Sequence, residues 1–181
     1  MILDPRRYDR RSLTDEQRDF LTKLVSFARL IQQTTYDKCK LLCIGTEQGL
    51  YASLAMAYVI DKSQWGTLEP SKKDNNLSLL KATDYWTGKI VEHSYTRIGP
   101  AGVTDETVVD RYRSYPTWLD WSLDLTDELT FFQRLQWEPV LNARNLDLQV
   151  ERMSILQSDS TKWRGRIEAL IERYGLWEFD W

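Results

Sequence analysis

The sequence predicts a mainly α-helical single domain with one β-hairpin inserted mid-chain. Three observations carry that reading. Apolar residues recur at three- and four-residue spacing in several separate stretches. One β-branched and aromatic segment, KIVEHSYTRI and then ETVVDRY, is interrupted by the Gly/Pro-rich run IGPAGVT. With 181 residues, 42% of them hydrophobic, the chain is long enough for one real core and hardly for two.

The elements follow in order. Residues 1–13 read as a solvated arm in which Arg6, Arg7, Arg10 and Arg11 alternate with Asp4 and Asp9. Thr14 and Gln17 form a capping box, and Phe20, Leu24, Phe27, Ala28 and Ile31 mark one buried face of a helix reaching about Cys43. Gly45 and Gly49 bracket a break. Leu50 to Ser63 is apolar nearly all round, the pattern of a central buried helix, with Gly66 as its terminator. Residues 67–88 are polar and irregular, and the hairpin occupies 89–112. A third helical stretch starts at Pro116, runs through Trp118, Trp121, Leu125, Leu129 and Phe132, and breaks at Pro139. Leu146 to Leu156 forms a short helix. Asp159 or Ser160 caps the last one, which Gly175 ends.

Composition excludes several function classes. Net charge is -3, which rules out a nucleic-acid binder held by bulk charge. No run reaches the ~18 apolar residues of a membrane span. The start MILDPRRYDRR has no apolar core of a signal peptide, so the expectation is a cytoplasmic or phage-associated protein, or one exported by another route. Cys39 and Cys43 sit on one helix face and read as free, mostly buried thiols. His93 is the one histidine, and no nucleophile motif accompanies it. No metal site and no cofactor are implied. Eight tryptophans are many for this length; core packing accounts for most, and a few in a groove would suit sugar stacking.

The order of short motifs is similar to the glucosaminidase domains of glycoside hydrolase family 73. Ser53 to Gly66, SLAMAYVIDKSQWG, resembles that family's signature ending in E-S-g-W-G. Asn75-Asn76-Leu77 with Leu79, Leu80 and Lys81 resembles N-N-L-F-G-I-K, and Trp86-Thr87-Gly88 resembles W-x-G. Tyr112-Arg113-Ser114-Tyr115 resembles F-R-x-Y, and Asp159 to Asp180 resembles the closing pattern. The resemblance implies a lysozyme-like helical fold with a groove between helices and hairpin, and hydrolysis of β-1,4 bonds in peptidoglycan. It implies groove roles for Ser63, Gln64, Trp65, Asn75, Asn76, Trp86, Tyr112 and Tyr115.

One departure decides the functional reading. The same alignment puts Lys62 where the family has its catalytic Glu. Glycoside cleavage needs a carboxylic acid to protonate the leaving oxygen. An ammonium also opposes the positive charge that develops on the sugar. Gln64 replaces a glycine, and Ser78 and Leu79 replace Phe and Gly. Glu92, in the first strand, occupies the place of the family's second carboxylate and could form an ion pair with Lys62. Asp61 lies about 100° round the helix and points elsewhere; Glu47, Glu69, Asp74, Asp105 and Glu106 are the other carboxylates near the groove. The expected function is a catalytically degenerate domain that binds peptidoglycan-like glycan or a protein partner. The alternative is an active peptidoglycan N-acetylglucosaminidase using Glu92 with a relocated acid. The third is a helical scaffold working through another surface, such as the Arg-rich start or Trp118, Trp121 and Trp137.

Overall fold

The computed structural model describes residues 12–45, 48–97 and 106–180. The N-terminal arm and the hairpin tip therefore lie outside the described residues. Helix α1 spans Asp15–Leu41, and its capping box forms as expected: Gln17 N donates to Thr14 Oγ1 at 3.2 Å and Thr14 N to Gln17 Oε1 at 3.0 Å. The apolar stripe from Leu21 to Ile31 faces the core. Cys39 is buried, and burial pushes its thiol up to about 11, whereas Cys43, expected inside, is exposed beyond the helix end.

Helix α2, Ala52–Ser63, is the centre of the molecule and packs on α1, on the last helix and on the closing turn of the chain. Every residue from Ala52 to Ala57 is buried. A buried helix start leaves backbone N–H groups that water cannot reach. Here distant side chains accept from them. Leu50 N donates to Thr35 Oγ1 at 2.9 Å, Tyr51 N to Gln149 Oε1 at 3.0 Å and Ala52 N to Gln32 Oε1 at 3.2 Å. Ser53 N donates to Asp180 Oδ1 at 2.7 Å, and its hydroxyl to Asp180 Oδ2 at 2.6 Å. Gln149 also donates to the Gly49 carbonyl at 2.6 Å. A Cβ on Gly49 would lie 2.4 Å from the Gln32 carbonyl oxygen, so that crossing requires glycine.

The end of α2 differs from expectation. Gln64, not Gly66, is the left-handed cap, and Gln64, Trp65 and Gly66 follow one another at φ 48°, 62° and 74°. Gly66 is needed for a second reason: a Cβ there would meet the Phe20 ring at 2.5 Å.

A short helix α3, Glu69–Asp74, emerges inside the stretch read as irregular, with Pro70 in its first turn. The hairpin follows. Strand β1, Ile90–Arg97, pairs antiparallel with β2, Glu106–Arg113, in the register Ile90↔Arg113 to Arg97↔Glu106. The third helical stretch divides. Thr117, rather than Pro116, caps α4, Trp118–Asp127, which continues as a π-helical turn, Glu128–Phe132, and then α5, Arg134–Leu141. Pro139 lies inside α5 and does not break it. The carbonyl that its missing N–H leaves without a helical donor belongs to Leu135, one of the most exposed residues. Helix α6 covers Leu146–Ile155, and α7, Ser160–Tyr174, ends at left-handed Gly175 before a 3-10 turn, Leu176–Phe179.

Trp121, Trp137 and Trp163 are buried, as core packing required. Phe20 joins Trp65 and Trp118 edge to face, tying α1 to the end of α2 and the start of α4. Among the described residues no helix is long and apolar enough to cross a membrane.

The α2 start yields a graded expectation. Gln149→Leu removes an acceptor from Tyr51 N–H and a donor from the Gly49 carbonyl, two buried hydrogen bonds at about 0.5–1.5 kcal/mol each. Gln32→Leu removes one of two acceptors near Ala52 N–H, the other being the Asp180 carboxylate, together with a buried amide nitrogen that has no partner among the described residues, so its cost is smaller. Urea denaturation of the two variants checks the order.

Candidate functional site

A cleft of about 410 Å³ opens between the last turn of α2, the loop after α3, the end of β2 and the π-helical turn. Tyr58 and Lys62 come from α2, Ser78 to Thr83 from the loop, and Tyr112 and Arg113 from β2. Leu125, Glu128, Leu129, Gln133 and Trp137 form the opposite wall.

Arg113 holds these walls together. Its side chain is 1% exposed. It donates to Asp124 at 2.7 Å, to Glu128 at 2.8 Å and to the Lys81 carbonyl at 3.1 Å. Burial works against the guanidinium charge, and the two carboxylates outweigh it. Glu128 is equally enclosed. It accepts from Arg113, from the Tyr85 hydroxyl at 2.9 Å and from the Gln133 amide. Both its oxygens are engaged within the protein, and they tie β2, the loop and the π-helical turn together. Asp124 also accepts from the buried Tyr115 phenol, which burial pushes far above its ordinary value. The π-helical turn at Glu128 is a departure from regular helix that often marks a functional site.

Lys62 is on the cleft wall, half-buried. Its ammonium donates to Gln157 Oε1 at 3.2 Å and lies 5.7 Å from the Tyr58 ring centre. Burial lowers its pKa, Asp61 works against that, and Arg166 adds to it. Burial pushes the Tyr58 phenol up to about 12, with Asp61 adding to it. The Tyr112 phenol is likewise pushed up to about 12 by burial, with Asp110 second.

The expected pair of Lys62 with Glu92 does not form. Glu92 is 66% exposed on β1, its ion pair is with Arg111 at 3.9 Å, and it is not part of the cleft lining. The cross-strand register sets this, since Glu92 stands opposite Arg111. Asp61 points away from the cleft, to Arg166 at 2.9 Å. Asp74 is buried, accepts from Ser114 at 3.0 Å and lies 3.6 Å from His93 Nε2, while Glu69 pairs with Lys73. Glu47, Asp105 and the Glu106 side chain lie outside the described residues.

The remaining expected residues divide between building and lining the cleft. Tyr112 lines it. Ser63 is buried, donating to the Val59 carbonyl at 2.6 Å and accepting from Gly66 N at 2.9 Å. Asn76, fully buried, donates to the Leu80 and Arg113 carbonyls at 2.8 and 2.9 Å. Asn75 donates to the Tyr115 and Pro116 carbonyls. The two asparagines thus staple the loop to the end of β2. Trp86 packs edge-on against Tyr115 and beneath the Arg113 guanidinium, 5.1 Å away. Gln64 and Trp65 belong to a different depression, between α2 and α7, where Trp65 meets Tyr174.

Two positions where the resembling motifs carry glycine keep the glycine geometry without the glycine. Gln64 has φ 48° and Leu79 has φ 54°, the left-handed region that costs an L-residue roughly 1–2 kcal/mol. Ser78, in the place of a phenylalanine, accepts a hydrogen bond from the buried Trp121 indole at 2.9 Å.

Glu128, Gln157 and Tyr58 were not read as site residues from the sequence. Glu128 stands in an ordinary helical run, and nothing in its spacing marks it. Arg113 had a signal, its place in the Tyr112–Tyr115 motif.

No family model matches the chain. In sequence it is similar to the exo-glucosaminidase LytG of Bacillus subtilis, with 26% identity over 174 residues and 92% of this chain covered; the chain spans 54% of that relative's length. In structure it is similar to the catalytic domain of the autolysin Auto from Listeria monocytogenes, with TM-score 0.69, 19% identity and 93% and 90% of the two chains covered. The glycoside hydrolase domain of FlgJ from Salmonella typhimurium gives TM-score 0.63, 20% identity, and 86% and 95% coverage. The fold is therefore the lysozyme-like helical one, with its small two-stranded sheet.

Arg113→Met leaves Asp124 and Glu128 enclosed without their cation, and the expected cost is about 3–5 kcal/mol. The deficit shrinks in acid, as the orphaned carboxylates take up protons; chemical denaturation at neutral and acidic pH measures both. Gln64→Gly at the exposed α2 cap relieves left-handed strain and is expected to hold or raise stability by up to about 1 kcal/mol, the unfolded-state entropy of glycine taking back part of the gain.

Proposed function

We propose that this domain is a catalytically degenerate glucosaminidase-like module that holds peptidoglycan-type glycan in the cleft without cleaving it. The observation that carries the reading is Lys62 on the cleft wall, at the position where the resembling motif has its catalytic acid. Most glycosidases use two carboxyl groups flanking the scissile bond, one of them the acid that protonates the leaving oxygen. The one carboxylate lining this cleft among the described residues, Glu128, has both oxygens taken by hydrogen bonds. Glu92 stands on the exposed strand, outside the lining. Lys62, as a cation, opposes the charge of an oxocarbenium-like transition state. The sequence similarity to an exo-glucosaminidase and the shared fold with an autolysin domain support the choice of glycan.

The test compares wild type with Lys62→Glu on Gram-positive peptidoglycan. The expected wild type co-sediments with the polymer, releases no reducing ends and does not clear a turbid suspension. Lys62→Glu is expected to gain measurable release. Wild-type release that Glu92→Gln abolishes would establish the active reading instead, with a proton donor elsewhere. Loss of both sedimentation and release would leave the cleft without a glycan role.

A further inference from the structure

Four charged side chains line the cleft among the described residues: Lys62, Lys81, Arg113 and Glu128. Three are closed by opposite charges within the protein. Lys81 meets Asp110 at 2.8 Å, and Arg113 meets Asp124 at 2.7 Å and Glu128 at 2.8 Å. Lys62 is different. Its one hydrogen-bond partner among the described residues is the neutral amide oxygen of Gln157. Asp61, its neighbour in sequence, is turned to Arg166 on α7. An ammonium has three donors, and only one is used. A ligand that supplies an acceptor at this half-buried ammonium gains a charge-assisted hydrogen bond.

We propose that Lys62 is the specificity residue of the cleft and recognises a carboxylate carried on the bound glycan, so that the cleft selects acidic over neutral N-acetylated glycan. This rests on the glycan-binding reading above. A carboxylate fits better than a phosphate. Lys62 is the one lining cation without an ion pair among the described residues, so a dianion would keep one charge uncompensated. A monoanion pairs with Lys62 one to one. Peptidoglycan offers that chemistry from two sources: the lactyl ether on every second sugar, and the peptide that amidates it.

The experiment is calorimetric titration of the full chain with three tetrasaccharide probes. The first is a neutral N-acetylglucosamine tetramer. The second alternates N-acetylglucosamine with lactyl-ether sugars whose carboxylates are free. The third has those carboxylates amidated by peptide that carries its own. Wild type is expected to bind one of the acidic probes about ten-fold or more tighter than the neutral tetramer, the scale of one charge-assisted hydrogen bond. The preferred probe names the source. Lys62→Gln is expected to lose the preference while still binding the neutral tetramer, and Lys62→Arg to keep it. Equal wild-type affinity for all three, unchanged in Lys62→Gln, overturns the carboxylate inference and leaves the glycan-binding reading standing. Absence of binding to every probe removes both.

Discussion

The rest of the molecule depends on keeping α2 buried from its first residue. A helix in the centre of a domain gains the full hydrophobic stabilisation of its apolar surface. It also brings a row of N–H groups into a place without water. Thr35 and Gln32 from α1, Gln149 from α6 and Asp180 from the chain end supply the acceptors. Elements far apart in sequence are therefore required to meet at one point. That point fixes how α1, α6 and the tail sit around α2, and the opposite end of α2 is then aimed at the cleft.

The cleft has a second hub, and it does a different task. Arg113 ends the hairpin and enters a pocket made by α4 and the π-helical turn. Such a buried ionic cluster adds little net stability by itself, because desolvation offsets attraction. Its consequence is positional. The strand end, the loop carbonyl of Lys81 and the wall carrying Glu128 are held in one relation. Asn75 and Asn76 extend the same fixation to the loop. Most of the residues that look like a catalytic signature in this chain are in fact the parts that build the groove. The scaffold uses these residues whether or not a bond is cut.

The left-handed residues make the same point at the level of the backbone. Gln64 and Leu79 occupy conformations that favour glycine, and the surrounding structure imposes them regardless. At Gln64 the α2 helix must end before the Phe20 ring, and at Leu79 the loop must turn so that Asn76 can reach Leu80 and Arg113. Local preference yields there to tertiary geometry, at a small cost in stability.

Periodicity and caps by themselves determined the helices with a strong signal: the Thr14 capping box, the all-round apolarity of α2, the Gly175 terminator and the hairpin flanking its Gly/Pro tip. These rest on local rules that act within one or two turns. The motif order likewise pointed to the fold. Tertiary structure alone decided the rest. Pro139 sits inside α5 without breaking it, and Glu128 becomes a cleft residue because Arg113 reaches it from a strand distant in sequence. Glu92 fails to meet Lys62 because strand register turns it toward Arg111 and solvent. Between residues of different elements, charge partnership is a property of three-dimensional neighbours, and no spacing along the chain encodes it.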